Sequence, residues 1–193
     1  MIKRLIILLS IALLLVLPAT AKEEERLKIG DPAPKFTLKD ADDKEHGLEK
    51  LLRKDEESAR IVILIMGDRK VRKDANQWAK KLHELYKEKK EEIALLMLAD
   101  LRDLPFFVTE SMVKWGTKRE KLPITIVLDW EGKINKLYKT QKGKSDIFIV
   151  NSDGKIAYHQ VSKYKDDAVK KIQGRIQDLL KQRQLEEDED EDR

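Results

Sequence analysis

The chain contains no cysteine in 193 residues. That absence excludes thiol nucleophiles, disulfides, iron–sulfur clusters and thiolate zinc sites together. Histidine is scarce too. His46, His83 and His159 are scattered, with no H-x-H or H-x-x-x-H pair to ligate a metal. Ser111, Ser145 and Ser152 lack the G-x-S-x-G elbow of a serine hydrolase. These gaps lead us to expect no metal and no cofactor. Long apolar runs are missing as well: the longest, residues 5–17, spans 13 residues, whereas a bilayer crossing needs roughly 20. No internal repeat and no nucleic-acid-binding motif is visible.

What is present begins at the ends. Lys3 and Arg4 precede the apolar run, and Pro18, Ala19, Thr20 and Ala21 follow it. A cationic head, a short apolar stretch and a small-x-small site read as a secretory signal peptide over residues 1–21, cut after Ala21. An uncleaved anchor is the alternative. The protein is thus expected to be exported, to a bacterial periplasm first and to full secretion as the alternative, with no stable membrane insertion after cleavage. Residues 22–183 are long enough for one domain with a real core. Residues 184–193 form an acidic tail, read as disordered through like-charge repulsion. Such a tail fixes no cage of oxygens for calcium. The net charge is +4; residues 1–21 supply +2 and residues 186–193 supply −6, leaving +8 on residues 22–185. A basic body suits an acidic partner or an anionic surface.

Between the ends, the pattern alternates strand and helix. Residues 30–38 hold Gly30, Pro32 and Pro34, which forbid a helix, and Phe36 and Leu38 alternate as in a short edge strand. Leu48, Leu51 and Leu52 suit a brief helix. Residues 61–66 (IVILIM) and 93–98 (IALLML) are runs buried on both faces, the mark of parallel strands. The stripe Ala75, Trp78, Ala79, Leu82, Leu85 and Tyr86 puts a helix between them, a βαβ crossover. A helix is expected over residues 106–114, and a third strand over 124–128. Ile134, Leu137 and Tyr138 share a helical stripe. Residues 147–150 and 156–158 flank an Asp-Gly turn, an antiparallel hairpin. Val169, Ile172, Ile176, Leu179 and Leu180 line a last helix. The sum is an α/β sandwich about a mixed sheet. Trp78 is assigned to its core, and Trp115 and Trp130 to a contact surface.

Four segments resemble the thioredoxin-like fold in its redoxin and peroxiredoxin-related branch: residues 30–38 (GDPAPKFTL), 61–67 (IVILIMG), 122–138 (LPITIVLDWEGKINKLY) and 146–161 (DIFIVNSDGKIAYHQV). The chain is also similar to the cysteine-poor periplasmic YtfJ-like proteins. The resemblance implies a three-layer sandwich with a mixed central sheet, flanking helices and a C-terminal β-hairpin plus helix. It also implies a reactive thiol after residue 67. Here Lys70 and Lys73 stand near the Cys-x-x-Cys positions, the peroxiredoxin Pro-x-x-x-Thr-x-x-Cys loop is missing, and Ser145 stands near the fold's usual cis-proline. The family's catalytic residues carry over to no position.

One group near that place still has a chemistry. Arg69, Lys70, Arg72 and Lys73 precede a helix, where backbone N–H groups and cationic side chains suit an anion or an acidic partner. The alternative is a solvated basic loop, since phosphate cradles use glycine and only Gly67 is near. Asp100 and Asp103 flank Arg102 at a strand end and suit turn chemistry. The functional expectation is a cell-envelope binding or scaffold protein without thiol redox activity, whose partner is another envelope protein. The alternatives are a redoxin-related enzyme working through non-cysteine groups and an anion-binding subunit of a larger complex.

Overall fold

The computed structural model describes residues 26–53 and 59–191. The signal-peptide reading of residues 1–21 lies outside the described residues. In chain order the elements are β1 (Thr37–Lys39), β2 (Glu45–Gly47), α1 (Leu48–Leu52), β3 (Ile61–Asp68), α2 (Arg72–Tyr86), β4 (Ile93–Asp100), α3 (Glu110–Arg119), β5 (Thr125–Asp129), α4 (Lys133–Leu137), β6 (Asp146–Val150), β7 (Ile156–Val161) and α5 (Asp166–Glu191).

The apolar run at residues 61–66 becomes the centre of a five-stranded sheet of order β5-β4-β3-β6-β7. β3, β4 and β5 are parallel; β6 runs antiparallel to β3, and β7 antiparallel to β6, so β6 alone opposes the other four strands. Strand periodicity divides β3 between two cores. Ile61, Ile63 and Ile65 face Trp78 and Leu82 of α2 and Ile172 and Ile176 of α5. Val62, Leu64 and Met66 face Phe36, Leu48, Tyr138 and Phe148 on the other side. This is the three-layer thioredoxin-like arrangement. Residues 30–33 are held against the start of β7: Gly30 N donates to Ile156 O and Ile156 N to Asp31 O, both at 2.8 Å.

Several expectations shift. The alternating segment at Phe36 and Leu38 pairs with β2 in a two-stranded sheet, and meets the edge of the main one only by a bridge from Asp40 to Val127 of β5. α3 starts at Glu110, not at residue 106. Thr109 Oγ1 caps it by accepting from Met112 N at 3.3 Å, and a turn closed by Val108 N on Pro105 O precedes it. α4 turns Asn135 inward in place of Leu137. Asn135 N and Nδ2 both donate to the buried Asp129 Oδ2, at 2.9 and 3.0 Å, while Leu137 is exposed. Gly132, at φ +63°, allows this: a Cβ there would meet Arg102 Cδ at 2.6 Å and Asp100 Oδ1 at 2.9 Å.

The tail reading also changes, because α5 continues to Glu191 through residues expected to be disordered. Lengthening an existing helix needs no new nucleus, and Gln, Leu and Glu are good helix formers. Arg183 ties that level of the helix to the body, donating to Ala59 O at 3.0 Å and approaching Glu92 at 3.6 Å.

The β1–β2 hairpin carries an acid-sensitive clasp. Asp40 loses some preference for charge through burial. This is outweighed by the hydrogen bond to His46 Nε2 at 2.7 Å and by the amides of Asp42 and Lys44, so its carboxyl lies below the usual range. A depressed folded-state value contributes stability above the unfolded-state value, about 3.9 for Asp, that is lost as pH falls through the folded one. The stability difference between wild type and Asp40→Asn is therefore expected to be present at neutral pH and to fade below about pH 4. Urea midpoints at pH 7, 5 and 3 check it; a constant difference would remove the clasp.

Candidate functional site

β3, β4 and β5 end in register on three aspartates, with Asp68 opposite Asp100 and Asp100 opposite Asp129. This C-terminal edge of parallel strands is where α/β sheets place their sites. Each carboxylate is committed. Asp68 Oδ1 accepts from Lys70 N at 2.8 Å and its Oδ2 from Gly143 N at 2.7 Å. Asp100 Oδ2 accepts from Arg102 Nη2 at 2.5 Å and from Nε at 2.8 Å. Asp129 holds Asn135. Among the described residues no group of three or more His, Asp and Glu is arranged to hold a metal ion.

Asp68 caps a 3₁₀ turn, Arg69–Val71, that runs directly into α2. The basic segment is thus a tight turn and first helical turn rather than a loose loop. Arg69, Lys70, Arg72 and Lys73 are all exposed. Arg72 Nε pairs with Glu120 Oε1 of α3 at 3.1 Å, which removes it from the free set. Arg69, Lys70 and Lys73 form no ion pair among the described residues. Val71 points inward, buried, so close to Gly67 that a Cβ there would meet its Cγ2 at 2.7 Å. Valine methyls fill the space at the head of the helix.

A second anchor was invisible in the sequence. Asp74 Oδ2 accepts from Ser145 Oγ at 2.6 Å, and its Oδ1 from Tyr164 N at 2.5 Å. One carboxylate joins α2, the buried start of β6 and the approach to α5. The partners are 71 and 90 residues away, and no local signal marks them. Ser145, singled out for its place before β6, thus works as a buried donor. Nearby, His159 Nε2 bonds the fully buried Asp146 at 2.8 Å, and its ring stacks on Phe148 with centroids 4.0 Å apart.

Beside the basic turn, α2 and α3 enclose a cavity of about 260 Å³ over the ends of β3 and β4. Met97 and Ile126 lie beneath it, and Leu104, Val108 and Val113 wall it. Asn76 donates to Glu120 at its edge. Along the segment before α3, apolar side chains are uncovered: Phe106 is 99% exposed, Phe107 64%, and Met112 and Trp115 over half. The Phe106 and Phe107 rings meet edge to face, and Arg119 lies over Trp115 at 4.5 Å. Trp115 was legible as a surface residue. Phe106 and Phe107 were read into a helix, and only the later start of α3 leaves them outside. Asp103 lines a smaller neighbouring hollow with Arg69, Lys70 and Leu104. Its hydrogen bond to Lys142, with the Arg102 and Lys70 charges, holds its carboxyl below the usual range.

The arrangement contains no thiol at the helix head; it offers an apolar cavity, uncovered aromatics and unpaired cations. No curated protein matches the chain. Among solved structures it is similar to a provisionally named thiol:disulfide interchange protein DsbE from Chlorobium tepidum, with TM-score 0.58, 18% identity, and 80% of this chain and 99% of that one covered. A provisionally named protein disulfide isomerase from Bacteroides thetaiotaomicron gives TM-score 0.59 and 22% identity over 80% and 91% of the two chains. A peroxiredoxin-like protein from Aquifex aeolicus gives 0.53 and 19% over 78% and 89%. At these identities the likeness establishes the fold, thioredoxin-like with a mixed sheet. The AhpC/TSA family model matches residues 29–159, and the chain, cysteine-free though it is, belongs to the AhpC/TSA family.

Proposed function

We propose that this protein is an exported binding or scaffold component of the cell envelope, in a bacterial periplasm, that has exchanged thiol chemistry for association with another envelope protein. One observation carries the reading. Near the positions where the resemblance expects thiols, Lys70 and Lys73 are exposed without an ion pair and Val71 between them packs against Gly67, while the segment before α3 and α3 itself leave Phe106, Phe107, Met112 and Trp115 uncovered. Aromatic side chains with neighbouring cations are the usual anchors of protein interfaces. Export rests on the character of residues 1–21.

The purified protein is expected to show no turnover in disulfide-reduction and peroxide-consumption assays. Cross-linking in envelope extract is expected to join it to a specific partner. The double variant Phe106→Ala/Phe107→Ala is expected to weaken that association about tenfold or more at an unchanged melting temperature, because both rings are exposed. Measurable redox turnover sinks the proposal. Undiminished capture by the double variant removes these rings from the contact.

The unpaired cations favour a second reading, an anion-binding subunit that docks Arg69, Lys70 and Lys73 on an acidic surface. Exposed charge pairs are screened over about 8 Å at physiological salt. This reading therefore requires the complex to weaken steeply as salt rises; indifference to salt counts against it.

A further inference from the structure

We propose that the cavity between α2 and α3 binds an amphiphile, with an apolar acyl chain inside it and an anionic head held by Arg69. This goes beyond association with a partner protein and is read on the purified protein alone, so either claim can fail without the other.

The cavity is large for an apolar space. Its volume of about 260 Å³ exceeds that of the roughly 150 Å³ apolar cavities that stay dry and take up benzene. Apart from its rim, the lining is aliphatic: Ala75, Met97, Leu104, Val108, Val113 and Ile126. α3 approaches with Gly116, where an added Cβ meets no heavy atom within 4 Å. The space is therefore shaped for hydrocarbon, with room left along the helix.

Charge selects the head group. Asp68, Asp100 and Glu120 line the cavity, but each is engaged: Asp68 by the amides of Lys70 and Gly143, Asp100 by Arg102, and Glu120 by Arg72 and Asn76. Of the two arginines that line it, Arg72 is paired and Arg69 is not. Lys70 follows Arg69 in the same turn and Lys73 lies in the first turn of α2; these three cations have no ion pair among the described residues, against one carboxylate, Asp68, that is bonded only to amides, so the balance beside the cavity is positive. An anionic head there gains charge-assisted hydrogen bonds without breaking an existing pair. Asn76 Oδ1, buried and without a donor among the described residues, accepts a hydroxyl if the ligand carries one. Met112 belongs to the lining and is exposed on α3, where Trp115 is also exposed, giving a chain an apolar route inward.

The chain–anion chemistry has two sources, a free acid and a membrane lipid. Calorimetric titration uses dodecanoate, dodecyl phosphate and dodecyltrimethylammonium below their micelle concentrations. Both anions are expected to bind and the cation to fail. Gly116→Leu fills the cavity while raising helix propensity, and is expected to abolish binding in a protein that melts no lower than wild type. Arg69→Glu, at an exposed side chain, is expected to weaken dodecanoate about ten- to a hundredfold. In a second arm, labelled phosphatidylglycerol vesicles are mixed with the protein. Lipid transfer blocked by Gly116→Leu makes a membrane the source; dodecanoate binding without transfer makes a free acid the source. Equal binding of the cationic and anionic chains, binding unaltered in both variants, or no binding of dodecanoate, dodecyl phosphate or vesicle lipid overturns the proposal.

Discussion

Replacing Trp78 with alanine is expected to destabilise the protein by about 3–5 kcal/mol and to lower its melting temperature by roughly 10 °C or more. Trp78 is fully buried in the middle of α2, within the core that joins this helix to β3, β4 and α5. Its ring meets Tyr164 edge to face, with centroids 5.3 Å apart. In a close-packed core, alanine there leaves a cavity that the surroundings only partly collapse. The indole Nε1, buried without a partner among the described residues, sharpens the comparison. Trp78→Phe removes that donor while keeping an aromatic ring, and is expected to cost only about 1–2 kcal/mol. Urea unfolding followed by far-UV circular dichroism measures both. Equal losses for Phe and Ala would mean that ring packing is not what holds α2 down. Because α2 also carries Arg72, Ala75 and Asn76 along the cavity, Trp78→Ala is further expected to loosen that wall.

The second large effect belongs to Asp74. Asp74→Ala is expected to cost about 2–4 kcal/mol, because the Ser145 hydroxyl and the Tyr164 amide both lose their acceptor and a buried unsatisfied group costs about 1–3 kcal/mol. A favourable acid in the first turn of α2 is lost with it. Ser145→Ala removes a donor and leaves Asp74 its bond to Tyr164 N, so its expected cost is smaller, about 1 kcal/mol. The double variant is expected to lose less than the sum, as residues sharing one bond do. Strict additivity would show that the bond at 2.6 Å carries no coupling. The ordering of the three variants by chemical denaturation tests the idea that one carboxylate pins the rebuilt helix head.

Those two residues also show where a one-dimensional reading stops. Trp78 was legible as core because its stripe with Ala75, Ala79, Leu82 and Tyr86 follows helical periodicity, a property of spacing alone. Ser145 was legible only by its place before a strand, and Asp74 carried no signal of its own. Their bond depends on how β6 is placed beside β3, a pairing of distant segments. The same division holds at the basic turn. Four neighbouring cations were visible as a group, yet the structure separates them: Glu120 is contributed by α3, and it removes Arg72 from the free set. The cavity has no sequence signature, being bounded by α2, α3 and three strands at once.

The sequence by itself determined the chemistry that is closed and the fold that is open. Without cysteine no thiol reaction is possible, and alternating apolar runs and stripes dictate a mixed α/β sandwich, because periods of 2 and 3.6 can each bury only one kind of face. Only the tertiary structure decided that Phe106 and Phe107 stay uncovered, that Val71 fills the helix head, that the acidic end continues α5 to Glu191, and that an apolar cavity opens beside Arg69. The physical reason is common to all four. Periodicity is a local property of the chain. Whether a side chain is covered, paired or left over a void depends on which distant segment packs against it.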